Sequence, residues 1–150
     1  VQDAAFMVTV PFICPDTPVL KKNPVFLYSS DAFQKPYPFQ PDVAIALDDV
    51  FDQKLNGLHE LTSQTYEGGA SGSEAYVRGV PPAAYEAGRR NWLKEKWAER
   101  QGNEAKRFRA TLQQWYGEEK GNAVKFAEAF EICEYGRRPT AEELKKLFPF

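Results

Sequence analysis

Seven of the chain's eleven prolines fall between Pro11 and Pro41, and no other feature restricts its folding as much. Proline has no amide proton and its ring clashes with the preceding helical turn, so this stretch cannot form a regular helix. Phe12, Phe26, Tyr28, Phe33, Tyr37 and Phe39 are interleaved with the prolines. Rings at that density predict ordered packing rather than the extended recognition peptide that proline alone would suggest. Within the stretch, Val25-Phe26-Leu27-Tyr28 is a compact apolar run halted by Ser29-Ser30-Asp31, which suits a short buried strand followed by a loop.

The flanking segments follow other periods. Residues 1–10 place Ala4, Ala5, Met7 and Val8 on one helical face that must end before Pro11. Asp42 to Leu47 is apolar on both faces, as in an internal strand. Asp48 and Asp49 then mark a helix start, with carboxylates able to accept orphan amide protons; Phe51, Leu55, Leu58 and Leu61 continue at helical spacing to about Gln64. After Pro81-Pro82, Tyr85, Trp92, Leu93 and Trp97 form a second helical stripe, which Gly102-Asn103 should interrupt before Ala105, Phe108, Leu112 and Trp115 resume it, as two helices or as one kinked helix. Val124 to Cys133 alternates; as a strand it places Val124, Phe126, Glu128, Phe130 and Ile132 on one side, where a carboxylate needs a charged or hydrogen-bonding neighbour, and as a helix it would leave Glu128 simply exposed. Thr140-Ala141-Glu142-Glu143 is a capping box that opens a terminal helix, with Phe148 and Phe150 expected to dock on the domain.

These elements predict an α/β chain, treated as one domain in three parts: 1–80, 81–120 as a helical insertion packed on it, and 121–150 as a final strand and terminal helix. The longest apolar run, Ala4 to Cys14, is broken by Pro11 and too short to span a bilayer, so no membrane span is expected. Cys14 and Cys133 match no metal or redox spacing and neither require nor forbid a bridge, which makes a reduced, cytoplasmic setting the expectation. The chain begins at Val1 without a methionine and turns apolar at once, as a processed or truncated product would.

Charge is unevenly placed. Residues 1–80 carry 5 basic and 10 acidic groups, and residues 81–150 carry 14 and 11, so the balance moves from −5 to +3. Residues 86–109 hold eight basic side chains against four acidic ones. Their mixed-sign spacing favours a solvated helix over a nucleic-acid surface, so nucleic acid is not expected as a partner; a non-enzymatic binding module that uses these helices is the rival function.

Several chemistries are excluded. His59 is the only histidine, so paired-histidine zinc motifs cannot be built from this chain, and between Leu58 and Leu61 it is expected to be a partly exposed helix histidine rather than a ligand or base. Gly69-Ala70-Ser71-Gly72-Ser73 lacks the second glycine of a nucleophile elbow. Gly68 to Ser73 is not followed by Lys-Ser or Lys-Thr and reads as a surface loop rather than a phosphate cradle.

Three stretches carry a likeness: Asp49-Val50-Phe51-Asp52-Gln53-Lys54 through Leu58, then Leu61-Thr62-Ser63-Gln64, and Phe126-Ala127-Glu128-Ala129-Phe130. Together they resemble the C-terminal portion of the PIG-L/LmbE family of zinc-dependent N-deacetylases, and Val1 to Phe6 is similar to the helix that follows the family's second histidine motif. The resemblance implies a Rossmann-like sheet with covering helices. It also implies zinc in the parent protein, held by an Ala-His-Pro-Asp-Asp stretch and a later His-x-x-His element, and hydrolysis of an N-acetyl group from an amino-sugar-like substrate. None of those zinc ligands or the catalytic base occurs here, so the chain alone is expected to bind no metal and hydrolyse nothing. Where the family often carries a histidine ahead of its Ser-Gln, this chain has Leu61.

On that reading the partners are an N-acetylated small molecule and the N-terminal part of the same protein. A severed sheet would also expose edges that a second copy could cover, leaving a homo-oligomer open. If the first strand runs parallel to its neighbours, ligands gather beyond strand carboxyl ends, which points to Tyr28, Ser30 and Asp31 as a substrate rim. Glu128 is the candidate supporting residue behind it.

Overall fold

The computed structural model describes residues 2–34, 36–69 and 73–150. Helix α1 (Gln2–Met7) is followed by strand β1 (Val25–Ser29) and strand β2 (Val43–Ala46). A 3-10 turn (Asp48–Val50) leads into α2 (Phe51–Glu60), then α3 (Thr62–Thr65), α4 (Glu74–Arg78), α5 (Glu86–Arg107), α6 (Arg109–Tyr116) and α7 (Glu118–Ala123). Strand β3 (Ala127–Gly136) and helix α8 (Ala141–Leu147) complete the chain. The architecture is mixed α/β, and no described helix is long and apolar enough to cross a membrane.

The sheet has the order β1-β3-β2, with the last strand in the centre and both neighbours antiparallel to it. This differs from the parallel arrangement of a Rossmann sheet. The condition that would have put Tyr28, Ser30 and Asp31 at a parallel switch point is not met, and their positions follow from antiparallel register instead. Tyr28 faces Glu131 and Ser29 faces Phe130 across the β1–β3 ladder, whereas Ala44 faces Ala129 and Ile45 faces Glu128 on the other side. The β1–β3 register shifts between Val25 and Leu27. Gly136 closes this end with φ +93°, and a Cβ there would meet the Phe26 ring at 2.6 Å and the Pro24 carbonyl at 2.8 Å, so only glycine fits.

Strand β2 is an edge of the described sheet rather than an internal strand. Its two-sided apolarity has another cause: α6 covers it, with the Ala46 amide donating to the Tyr116 hydroxyl (3.1 Å) and the Trp115 indole donating to the Asp42 carbonyl (2.9 Å). Two apolar clusters result. Ala44, Ala127 and Ala129 meet Ala105, Phe108 and Leu112, where small strand residues let the helices approach closely. Phe51, Leu55, Tyr66 and Leu93 form the second, between α2 and α5.

Other local expectations change for identifiable reasons. On β3 the buried positions are Ala127, Ala129 and Cys133, while Phe130 and Ile132 stay half-buried; Phe148 and Phe150 do dock, on Phe130 and on Trp115 respectively. Gly102-Asn103 leaves α5 unbroken, because a helix packed on two clusters absorbs the roughly 1 kcal/mol that glycine costs. The break comes at Phe108 (φ −107°, ψ 27°). The Asp48 carboxylate accepts amide protons as expected, but from Lys125 (3.1 Å) and Phe126 (3.3 Å), so it ties the entry of β3 to the entry of α2 instead of capping its own helix. The capping box forms as read, with Thr140 and Glu143 exchanging hydrogen bonds. Cys14 is exposed, Cys133 is buried, and both are free. The Gly68 to Ser73 loop lies partly outside the described residues, Ser71 with it.

Candidate functional site

The proline-rich segment after β1 folds back over the β1–β3 edge and leaves a groove of about 500 Å³. Tyr28 and Asp31 both line it, with Phe33 and Tyr37 from the proline-rich segment and Glu131 and Glu134 from β3. Cys133 lies at the floor, where its thiol donates to the Tyr28 hydroxyl oxygen (3.0 Å), and that hydroxyl donates to Glu134 Oε2 (3.0 Å). The Glu134 carboxyl is held below the usual carboxylate range, first by a hydrogen bond from its own backbone amide and next by the Tyr28 hydroxyl. Asp31 is positioned twice: Oδ1 accepts the Phe33 amide (2.9 Å) in a tight local turn, and its carbonyl accepts from Arg107 (3.1 Å).

Ser30 is not part of this lining; its hydroxyl donates to Glu104 on α5 and tethers the end of β1 to that helix. Glu128 is also elsewhere. Its carboxylate pairs with Lys54 of α2, satisfying the charged neighbour that a half-buried strand carboxylate requires. Next to that pair Phe51 stacks on Phe126, with centroids 4.1 Å apart and planes 11° from parallel. Glu131, Glu134, Phe33 and Tyr37 are among the groove residues that the sequence did not single out as a site. Strand register brings Glu131 opposite Tyr28 and leaves Glu134 within reach of the Tyr28 hydroxyl, and no spacing in the sequence signals either.

The described lining is acidic and aromatic and contains no lysine or arginine. Ring faces take apolar or cationic surface, and carboxylates take hydroxyl and ammonium donors. No three His, Cys, Asp or Glu side chains among the described residues converge so as to hold a metal ion, and the His59 ring is engaged through Nδ1 with the Tyr66 hydroxyl (2.7 Å).

The basic residues of 86–109 are mostly engaged within the molecule. Arg89 donates to the Pro81 carbonyl and covers the Tyr66 ring, Arg90 reaches Glu86 and Asn56, and Lys94 reaches Asp52. Arg107 is held by the Asp31 carbonyl, and Arg109 by the carbonyls of Gly121, Asn122 and Val124. Compared with protein-family models, with curated proteins and with solved structures, the chain has no match.

Proposed function

We propose that this chain is the C-terminal portion of a metal-dependent N-deacetylase of the PIG-L/LmbE type, contributing a substrate-facing wall rather than the hydrolytic residues. One observation carries this reading. Two of the three separated stretches on which the resemblance rests pack on each other, with Phe51 stacked on Phe126 and Lys54 paired with Glu128 across 74 residues of sequence. The antiparallel strands would then stand at the edge of a larger, mostly parallel sheet, a common arrangement in doubly wound folds.

In this role the β1–β3 groove receives the amino-sugar-like part of the substrate. The rings of Phe33 and Tyr37 pack on its C–H face, while Asp31, Glu131 and Glu134 accept hydrogen bonds from hydroxyls and from the amine that deacetylation exposes. The residues described here do not fit a zinc site, so no step through a metal is assigned to them. Glu128 acts at a distance by fixing α2 to β3.

The test is steady-state kinetics of the protein that includes the upstream half, with an N-acetylated amino sugar as substrate. Asp31→Ala and Tyr28→Phe should each raise KM by about tenfold with a smaller effect on kcat, the pattern of lost substrate binding. Unchanged KM in both variants, or an upstream coding sequence without an Ala-His-Pro-Asp-Asp element, would refute the proposal.

A further inference from the structure

A second groove, of about 440 Å³, lies on the opposite chemistry. Its wall is one face of α5: Trp92, Leu93, Lys96, Trp97 and Arg100 fall within about 140° of arc at 3.6 residues per turn. The facing wall comes from the end of α2 and from α3, where Leu58 and Leu61 contribute apolar surface. Among the described residues no carboxylate lines this groove, and neither Lys96 nor Arg100 forms a salt bridge. Arg100 lies over the Trp97 ring at 4.5 Å, which fixes its guanidinium at the groove without neutralising it. The Trp97 indole N–H is buried with no acceptor among the described residues.

We infer that this groove is a binding site for a small soluble amphipathic anion, a flat apolar body carrying one phosphate or carboxylate. The body fits between the Trp92 and Trp97 rings and Leu58, and the anionic head meets Lys96 and Arg100 at the rim. Two observations agree on this chemistry. The volume suits a ligand of drug-like size. The two cations at the rim are left unpaired while five of their basic neighbours on 86–109 are engaged within the molecule. The inference does not depend on the deacetylase reading, since it concerns a different face and a different ligand charge.

Calorimetric and tryptophan-fluorescence titration of the chain with 1-naphthyl phosphate, beside neutral 1-naphthol, tests it. The phosphate should bind one-to-one and at least about tenfold more tightly than the naphthol, and its affinity should fall with added salt. The double variant Lys96→Gln, Arg100→Gln should erase that advantage; both side chains are exposed, so the fold should survive, as circular dichroism can verify. Leu61→Glu, at a residue 53% exposed, should weaken phosphate binding by about the same factor through like-charge repulsion. Equal affinity for the two probes, an unaltered double variant, or no saturable binding up to about 1 mM at low salt would overturn the inference. So would binding to phosphatidylglycerol vesicles without binding to the soluble phosphate.

Discussion

The two grooves share aromatic walls and differ in everything that selects a ligand. The β1–β3 groove takes its rings from an irregular proline-rich segment, with Phe33 and Tyr37 mostly exposed, and its charge from carboxylates on a strand and the loop beside it. The α5 groove takes both tryptophan rings and its charge from successive turns of one helix, with Tyr76 added from α4, and its floor residue Leu93 belongs to an apolar cluster. Helical spacing places like charges side by side from sequence alone, whereas strand pairing recruits charges from distant residues. Opposite electrostatics on one small chain thus need no separate domains, only different ways of arranging neighbours.

The comparison can be broken most severely through the cores. Phe108→Ala should cost about 3–5 kcal/mol in urea unfolding and free Phe39, whose ring meets Phe108 at 5.6 Å and lines the acidic groove. Leu93→Ala should cost about 2–5 kcal/mol and disturb the basic groove instead. If both substitutions alter ligand binding at both grooves equally, the two sites are not separately supported. Thr140→Ala removes the helix cap and should cost about 1 kcal/mol by thermal unfolding while leaving both grooves intact. A double-mutant cycle on Lys54→Gln and Glu128→Gln should give a coupling of about 0.5–1 kcal/mol, modest because the pair is partly solvated; a coupling indistinguishable from zero would remove the energetic link between the stretches that carry the family resemblance.

The smallest effect is set by pH. The Glu143 carboxyl is held below the usual range by the Thr140 amide first and by Arg137 second, as Glu134 is by its own amide and Tyr28. A lowered folded value means the associated stability is complete above the unfolded carboxylate value near about 4.3 and is lost as pH falls through the folded one. Glu143→Gln should therefore flatten the acid limb of the unfolding midpoint between about pH 5 and 3, and Glu134→Gln should act in the same direction. An unchanged limb in Glu143→Gln would show that the cap carries no pH-dependent stability.

Much of the fold was legible because it is local. Proline placement located the irregular stretch, apolar periodicity located β1, α2 and α5, and the capping box located α8. The need of Glu128 for a charged partner was legible too, from the cost of a half-buried carboxylate on a strand, although the identity of that partner was not. The acidic groove was legible only at Tyr28 and Asp31, on one side of the ladder. The basic groove was visible as a charge excess over residues 86–109 but not as a site, since composition does not show which cations are already engaged.

What the amino-acid order determined by itself was therefore periodic or short-range: helix faces, strand runs, caps and breaks, each set by steric and hydrogen-bonding rules acting within a few residues. Tertiary structure decided three things that depend on contacts between distant residues: the antiparallel β1-β3-β2 order, the pairing of Lys54 with Glu128, and the separation of Ser30 from Tyr28 and Asp31. Many partners across the chain satisfy the same local rules, and only the simultaneous packing of the two apolar clusters selects among them.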